Sequence, residues 1–71
     1  MTLGDKLYHL RRKLRISQAN MGKMIGSCRQ AISKYENDQA EPGWYVMVKI
    51  AKVLGVSLDY FAKEDENEIQ S

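Results

Sequence analysis

Apolar residues recur along this chain at three- and four-residue spacing, without the sustained alternation of a half-buried strand. Leu3, Leu7, Leu10 and Leu14 make one such face. Thr2 and Asp5 give it a T-x-x-D start, a capping-box-like pattern with an acid beside the positive end of the helix. A second helix is expected from Gln18 to Ile25, capped by Ser17, with Met21 and Ile25 inward. Gly26 then breaks the pattern, placed where a left-handed residue closes a helix without a Cβ penalty. The third helix runs from about Cys28 to Glu36 with Ile32 and Tyr35 inward, and Ala31 is small enough for a close approach to the second. Asn37-Asp38 ends it, Asn being tolerant of left-handed backbone.

A polar loop around Pro42 leads to a fourth helix, about Trp44 to Leu54, that buries Met47, Ile50, Ala51 and Leu54 and stops at Gly55. Ser57 caps a last helix, Leu58 to about Lys63, which offers Leu58 and Phe61 to the core. Residues 64–71 carry no periodicity and are expected to fray. The pattern predicts an all-α, compact five-helix domain over residues 1–63, followed by a short acidic tail over residues 64–71.

At 71 residues the chain has room for one small core, near the lower limit for a domain that folds alone. The net charge of +2 conceals a division: residues 1–62 hold ten Lys/Arg against five Asp/Glu, whereas residues 63–71 hold one Lys against four acids. A body at +5 suits an anionic partner. The basic residues Arg12, Lys13 and Arg15 crowd the end of the first helix, where they complement its dipole and read as a solvated face, with long-range attraction of DNA as the second reading. No apolar run approaches the roughly 20 residues that span a bilayer. A single cysteine forms no internal disulfide, so a reducing, cytoplasmic compartment is expected and no membrane partner. One histidine, no metal-ligand cluster and no Gly-rich phosphate loop point away from an enzyme, and no cofactor or catalytic residue is assigned.

Two short helices hinged at Gly26 must cross steeply, so the face of the third helix opposite Ile32 and Tyr35 is left outward. That face is Arg29, Gln30, Ser33 and Lys34, all hydrogen-bonding and none acidic. Arg suits guanine O6/N7 and Gln suits adenine N6/N7, and a helix so equipped fits the DNA major groove.

Gln18–Asn37 with its flanks resembles the helix-turn-helix of Cro/C1-type (XRE-like) bacterial and phage repressors. The residues that carry the resemblance are Leu7, Leu10, Ser17-Gln18, Met21, Gly26, Arg29 to Asn37, Glu41-Pro42 and Lys49 to Asp59, across about residues 3–62. It implies a lambda-repressor-like DNA-binding domain, a transcriptional regulator and most simply a repressor, with a double-stranded DNA operator as partner. Base contacts are then expected from Arg29, Gln30, Ser33 and Lys34. Phosphate contacts are expected from Ser17, Gln18, Cys28 and Asn37. The resemblance also implies that Arg11 pairs with Glu36 to orient the third helix without touching DNA. A homodimer is expected on half-sites one helical turn apart, sharing Leu58, Tyr60, Phe61 and the end of the fourth helix.

The chain departs from that pattern in several places. Gly22 stands where Ala is usual, at about 0.5–1 kcal/mol of helix stability. Cys28 replaces a Ser cap, and Ser27 with Gln30 spells an S-x-x-Q capping box that would start the helix one residue earlier and divert Gln30 from bases. Asp38 stands where Gly is common and Gly43 where a Ser cap is common. Trp44 and Tyr45 read as a partly buried aromatic pair, with phosphate donation as the second reading. Cys28 beside Arg29 invites redox sensing, although a small residue near DNA is the commoner case. The rival function is an antitoxin-like or anti-repressor module on the same fold, and a regulatory protein partner stays open.

Overall fold

Thr2 starts the first helix as its sequence requires: its hydroxyl accepts from the Asp5 N–H at 3.1 Å, and its own N–H donates to the Asp5 carboxylate at 3.2 Å. From there the computed structural model describes residues 1–62 as five helices. These are α1 (Leu3–Lys13), α2 (Gln18–Met24), α3 (Arg29–Glu36), α4 (Trp44–Leu54) and α5 (Leu58–Ala62). The expected all-α architecture is the one found. Lys63 and the acidic tail lie outside the described residues.

Four of the helices end in the same way. A left-handed residue follows the last turn, its N–H reaches back three residues, and the next N–H reaches back five, the pattern of a Schellman closure. The left-handed residues are Arg15 (φ 60°), Gly26 (φ 70°), Asp38 (φ 58°) and Gly55 (φ 72°). After α1, Arg15 N–H donates to Arg12 O at 3.0 Å and Ile16 N–H to Arg11 O at 3.1 Å. After α2, Gly26 N–H donates to Lys23 O at 3.2 Å and Ser27 N–H to Gly22 O at 2.7 Å.

These closures correct three expectations. The second helix ends at Met24 rather than Ile25. Ser27 is consumed by the α2 closure, so the Ser27–Gln30 capping box does not form; Cys28 becomes the N-cap of α3, without a side-chain hydrogen bond. Asn37 keeps φ −96° while Asp38 takes the left-handed place. The Asp38 carboxylate also accepts from Thr2 Oγ1 at 2.7 Å and from the Gly4 N–H at 3.1 Å, so it ties the start of α1 to the end of α3. That tie satisfies one of the orphan donors of α1 and accounts for an acid where glycine would relax the backbone.

Leu7, Met21, Ile32 and Ile50 are the largest fully buried side chains, one each from α1, α2, α3 and α4. Each contributes on the order of 1.5–3 kcal/mol by burial, and because each comes from a different helix the core locks all four at once. Phe61 brings α5 onto the same cluster, with Ile25, Ala51 and Leu54 completing it. Leu14 does not join: it follows the last turn of α1 and is 45% exposed. The close approach between α2 and α3 is made by buried Gly22, where a Cβ would lie 2.7 Å from the Cys28 carbonyl carbon. Gly22 is therefore a packing requirement as well as a helix weakness.

One charged pair sits in this small core. Arg11 Nε donates to Glu36 Oε2, Arg11 NH2 donates to Glu36 Oε1 at 3.1 Å, and the two side chains are only 7% and 4% exposed. Arg11 NH1 donates to Ile16 O at 2.7 Å, and Gln18 Nε2 donates to Glu36 Oε1 at 3.0 Å. The guanidinium fork and the carboxylate thus hold α1, the α1–α2 joint, α2 and α3 in one network.

Removing one partner of such a pair leaves a buried charge uncompensated, which destabilises by about 3–5 kcal/mol. Arg11→Ala should therefore melt far below the wild type, while Arg12→Ala, an exposed neighbour, should stay within about 0.5 kcal/mol of it. Thermal melts followed by circular dichroism compare the two, and equal melting temperatures would remove the pair from this role. Gly22→Ala should also lower the melting temperature, because overpacking at about 1–3 kcal/mol outweighs the roughly 1 kcal/mol gained in helix propensity. A raised melting temperature would contradict the close approach at Cys28.

Candidate nucleic-acid interface

With Ile32 buried and Tyr35 half-buried, the opposite side of α3 is left to solvent. Arg29, Gln30 and Lys34 are exposed there and Ser33 is half-buried. The one acid of α3, Glu36, is turned inward to Arg11 and Gln18, so the outward face carries no negative side chain. No hydrogen bond within the chain engages the side chains of Arg29, Gln30 or Lys34 among the described residues, and the capping box that would have diverted Gln30 is absent. Donors and acceptors on this face are available to a ligand.

The other four residues expected at the interface take distinct places. Ser17 caps α2, its Oγ accepting from the Asn20 N–H at 3.0 Å, which leaves its hydroxyl proton to donate elsewhere. Gln18 is half-buried and spends one amide N–H on Glu36, retaining its second N–H and its oxygen. Cys28 is an exposed free thiol at the start of α3. Asn37 folds back at the other end, its Nδ2 donating to Ser33 O at 2.9 Å and reaching Ser33 Oγ at 3.4 Å. Both side chains at the C-terminal end of the face are therefore partly satisfied from within.

Two concave regions flank α3. On one side Cys28, Gln30 and Lys34 line a depression of about 260 Å³ floored by Ala31, Tyr35 and Ala40. On the other, an open concavity of about 830 Å³ lies between the end of α1 and the starts of α2 and α3. Ser17, Gln18 and Arg29 line it together with Arg12, Arg15 and Tyr8. The sequence places Arg12 and Arg15 on a solvated face, with long-range attraction of DNA as the second reading. The signal it missed is the short joint Leu14-Arg15-Ile16, which turns tightly enough to force Arg15 left-handed and brings α1's last turn beside α2's first.

Two further expectations change. Trp44 and Tyr45 are 74% and 73% exposed rather than a partly buried pair, and Lys49 Nζ lies 4.7 Å from the Tyr45 ring centroid. Phe61, expected both in the core and on a shared surface, takes the core place at 8% exposure while still lining an apolar depression, and Tyr60 is exposed beside it in an edge-on ring contact. Among the described residues no helix is long and apolar enough to cross a membrane, and no group of His, Cys, Asp or Glu is gathered as a metal site.

Comparisons with known proteins agree with this geometry. The repressor protein C2 of Salmonella phage P22 is 38% identical over 63 residues, covering 89% of this chain and 29% of that protein. An uncharacterised helix-turn-helix transcriptional regulator of Bacillus subtilis, YqaE, is 34% identical over 64 residues, covering 90% of this chain and 55% of that protein. The chain thus spans from under a third to just over half of these relatives. The crystal structure of the P22 c2 repressor with a synthetic operator superposes with a TM-score of 0.83 at 36% identity, covering 86% of this chain and 92% of that one. The same fold, at 22% identity and a TM-score of 0.75, also forms part of hydroxypropylphosphonic acid epoxidase from S. wedmorenis, which shows only that the fold serves as a module in larger proteins. The family model described as helix-turn-helix matches residues 7–61, and the chain belongs to the helix-turn-helix family of Cro/C1 type.

Proposed function

We propose that this chain is a sequence-specific DNA-binding transcriptional regulator, a repressor rather than an enzyme, that inserts α3 into the major groove of a double-stranded operator. The observation that carries this reading is the outward face of α3: Arg29, Gln30 and Lys34 exposed, Ser33 between them, and the helix's one acid withdrawn into the core pair. Arg29 is the leading base reader, because its planar fork matches the guanine edge bidentately. Gln30 is assigned to adenine, and Ser33 and Lys34 to base edge or adjacent phosphate. Ser17, Gln18, Cys28 and Asn37 border the face at the helix ends, where phosphate contacts set register and orientation. A cytoplasmic location fits such a regulator.

The same reading takes the chain as a homodimer on half-sites about 34–36 Å apart. An apolar depression of about 220 Å³ lined by Leu3, Trp44, Met47, Leu58, Phe61 and Ala62 supports a second copy as the occupant. Exposed Trp44 at its rim supplies the large apolar group that such a contact needs.

Selection of bound sequences from a random duplex pool tests the class directly, and a symmetric motif with two half-sites is expected. Arg29→Ala should then lose roughly 1–3 kcal/mol of discrimination at one base pair per half-site. Recovery of no enriched sequence, together with salt-insensitive capture of a protein, would favour an antitoxin-like or anti-repressor module instead. Sedimentation with the selected duplex should show two chains per duplex, and a single chain at micromolar concentration would overturn the homodimer.

A further inference from the structure

Arg15 stands in a left-handed conformation that disfavours any residue with a Cβ, and its side chain makes no compensating hydrogen bond among the described residues. Asp38, the other such residue, offsets its conformation by capping α1 through two hydrogen bonds. Arg15 instead extends into the open concavity of about 830 Å³ that Arg12 and Arg29 also line. Arg11, on the same wall, is neutralised by Glu36. Among the described residues Arg12, Arg15 and Arg29 have no carboxylate partner, although Arg12 lies 5.6 Å from the Tyr8 ring centroid, which gives its guanidinium a flat surface to rest on. Three unpaired guanidinium groups from α1's last turn, the α1–α2 joint and the start of α3 converge on one opening, with the Ser17 hydroxyl at its edge.

We infer that this concavity is a phosphate clamp in which Arg12 and Arg15 grip the DNA backbone beside the base contact of Arg29. The inference rests on the DNA-binding reading and assigns to it two residues that no motif marks. Guanidinium groups match phosphate oxygens bidentately, and a site shared by α1, the α1–α2 joint and α3 holds the backbone at a fixed distance from the recognition helix. The clamp contributes affinity without sequence preference. It explains why a strained arginine, rather than a relaxed glycine, closes α1.

The test compares wild type, Arg12→Gln and Arg15→Gly on a short duplex of mixed sequence and on the selected operator, titrated between 50 and 200 mM salt. Each phosphate contact removed should lower the slope of log affinity against log salt by about 0.9, so the weakening across that range shrinks by about 3.5-fold per arginine. The loss of affinity should be equal on both duplexes, and the selected motif should not change. Arg15→Gly should at the same time melt higher than wild type, since glycine takes φ 60° without a Cβ penalty. A raised melting temperature with slopes unchanged in both variants would make Arg15 a turn residue only and overturn the clamp while leaving DNA binding intact. Absence of salt-sensitive binding by the wild type would overturn the DNA-binding reading itself, and the clamp with it.

Discussion

The Arg11–Glu36 pair is the constraint on which the arrangement of this domain turns. A charged pair buried in so small a core is tolerated only if its buried polar atoms find hydrogen-bond partners. The structure meets that condition through three different segments: the carboxylate from α3, the Ile16 carbonyl from the α1–α2 joint, and the Gln18 amide from α2. Apolar packing alone would let α3 roll by a fraction of a turn with small loss, because hydrophobic contact is non-directional. The guanidinium fork is directional. It sets the rotation of α3, and with it which side chains face outward.

The pair has a second consequence for charge. Glu36 would otherwise stand next to Arg29 and Ser33 on the helix surface, where an acid would repel a phosphate backbone. Turned inward, it both orients the helix and clears the face of negative charge. The joints work toward the same end. Each of the first four helices closes on a left-handed residue with the N–H after it reaching back five residues, so each ends at a defined point, and all but α3 hand the chain to the next helix within four residues. The close packing of α2 against α3 follows from the Gly26 closure and from the absence of a Cβ at Gly22, against which the Cys28 backbone rests.

Much of this was legible in the sequence because it rests on periodicity and on local chemistry. The apolar spacing of Leu7, Met21, Ile32 and Ile50 names the core, Thr2 with Asp5 names the first helix start, and Gly26 and Gly55 name two of the helix ends. What was not legible depends on contacts far apart in the chain or on competition between neighbours. Asp38 caps a helix that begins 35 residues before it, which no window of local sequence contains. Ser27 carries a capping-box spelling, yet the closure of α2 claims its N–H first, and the cap passes to Cys28. Gly22 looked like a weak helix position because its reason lies on the next helix. The partly buried aromatic pair failed for a related reason: the pattern of α4 buries Ile50, Ala51 and Leu54, while Tyr45 lies on the opposite side and Trp44 stands in the first turn, before the buried stretch begins.

Arg15 shows how stability and binding divide in a domain of this size. A left-handed arginine is disfavoured by roughly 1–2 kcal/mol, a substantial share of the about 5–15 kcal/mol that holds a typical domain together. Asp38 carries the same kind of strain and offsets it within the fold, through hydrogen bonds to Thr2 and Gly4. Arg15 has no such internal return, and backbone strain without internal compensation tends to gather where a ligand is met. The two residues thus separate two uses of one backbone geometry. One tightens the scaffold that the ion pair orients, and the other sets a cation with no carboxylate partner among the described residues next to the helix whose face the ion pair has cleared.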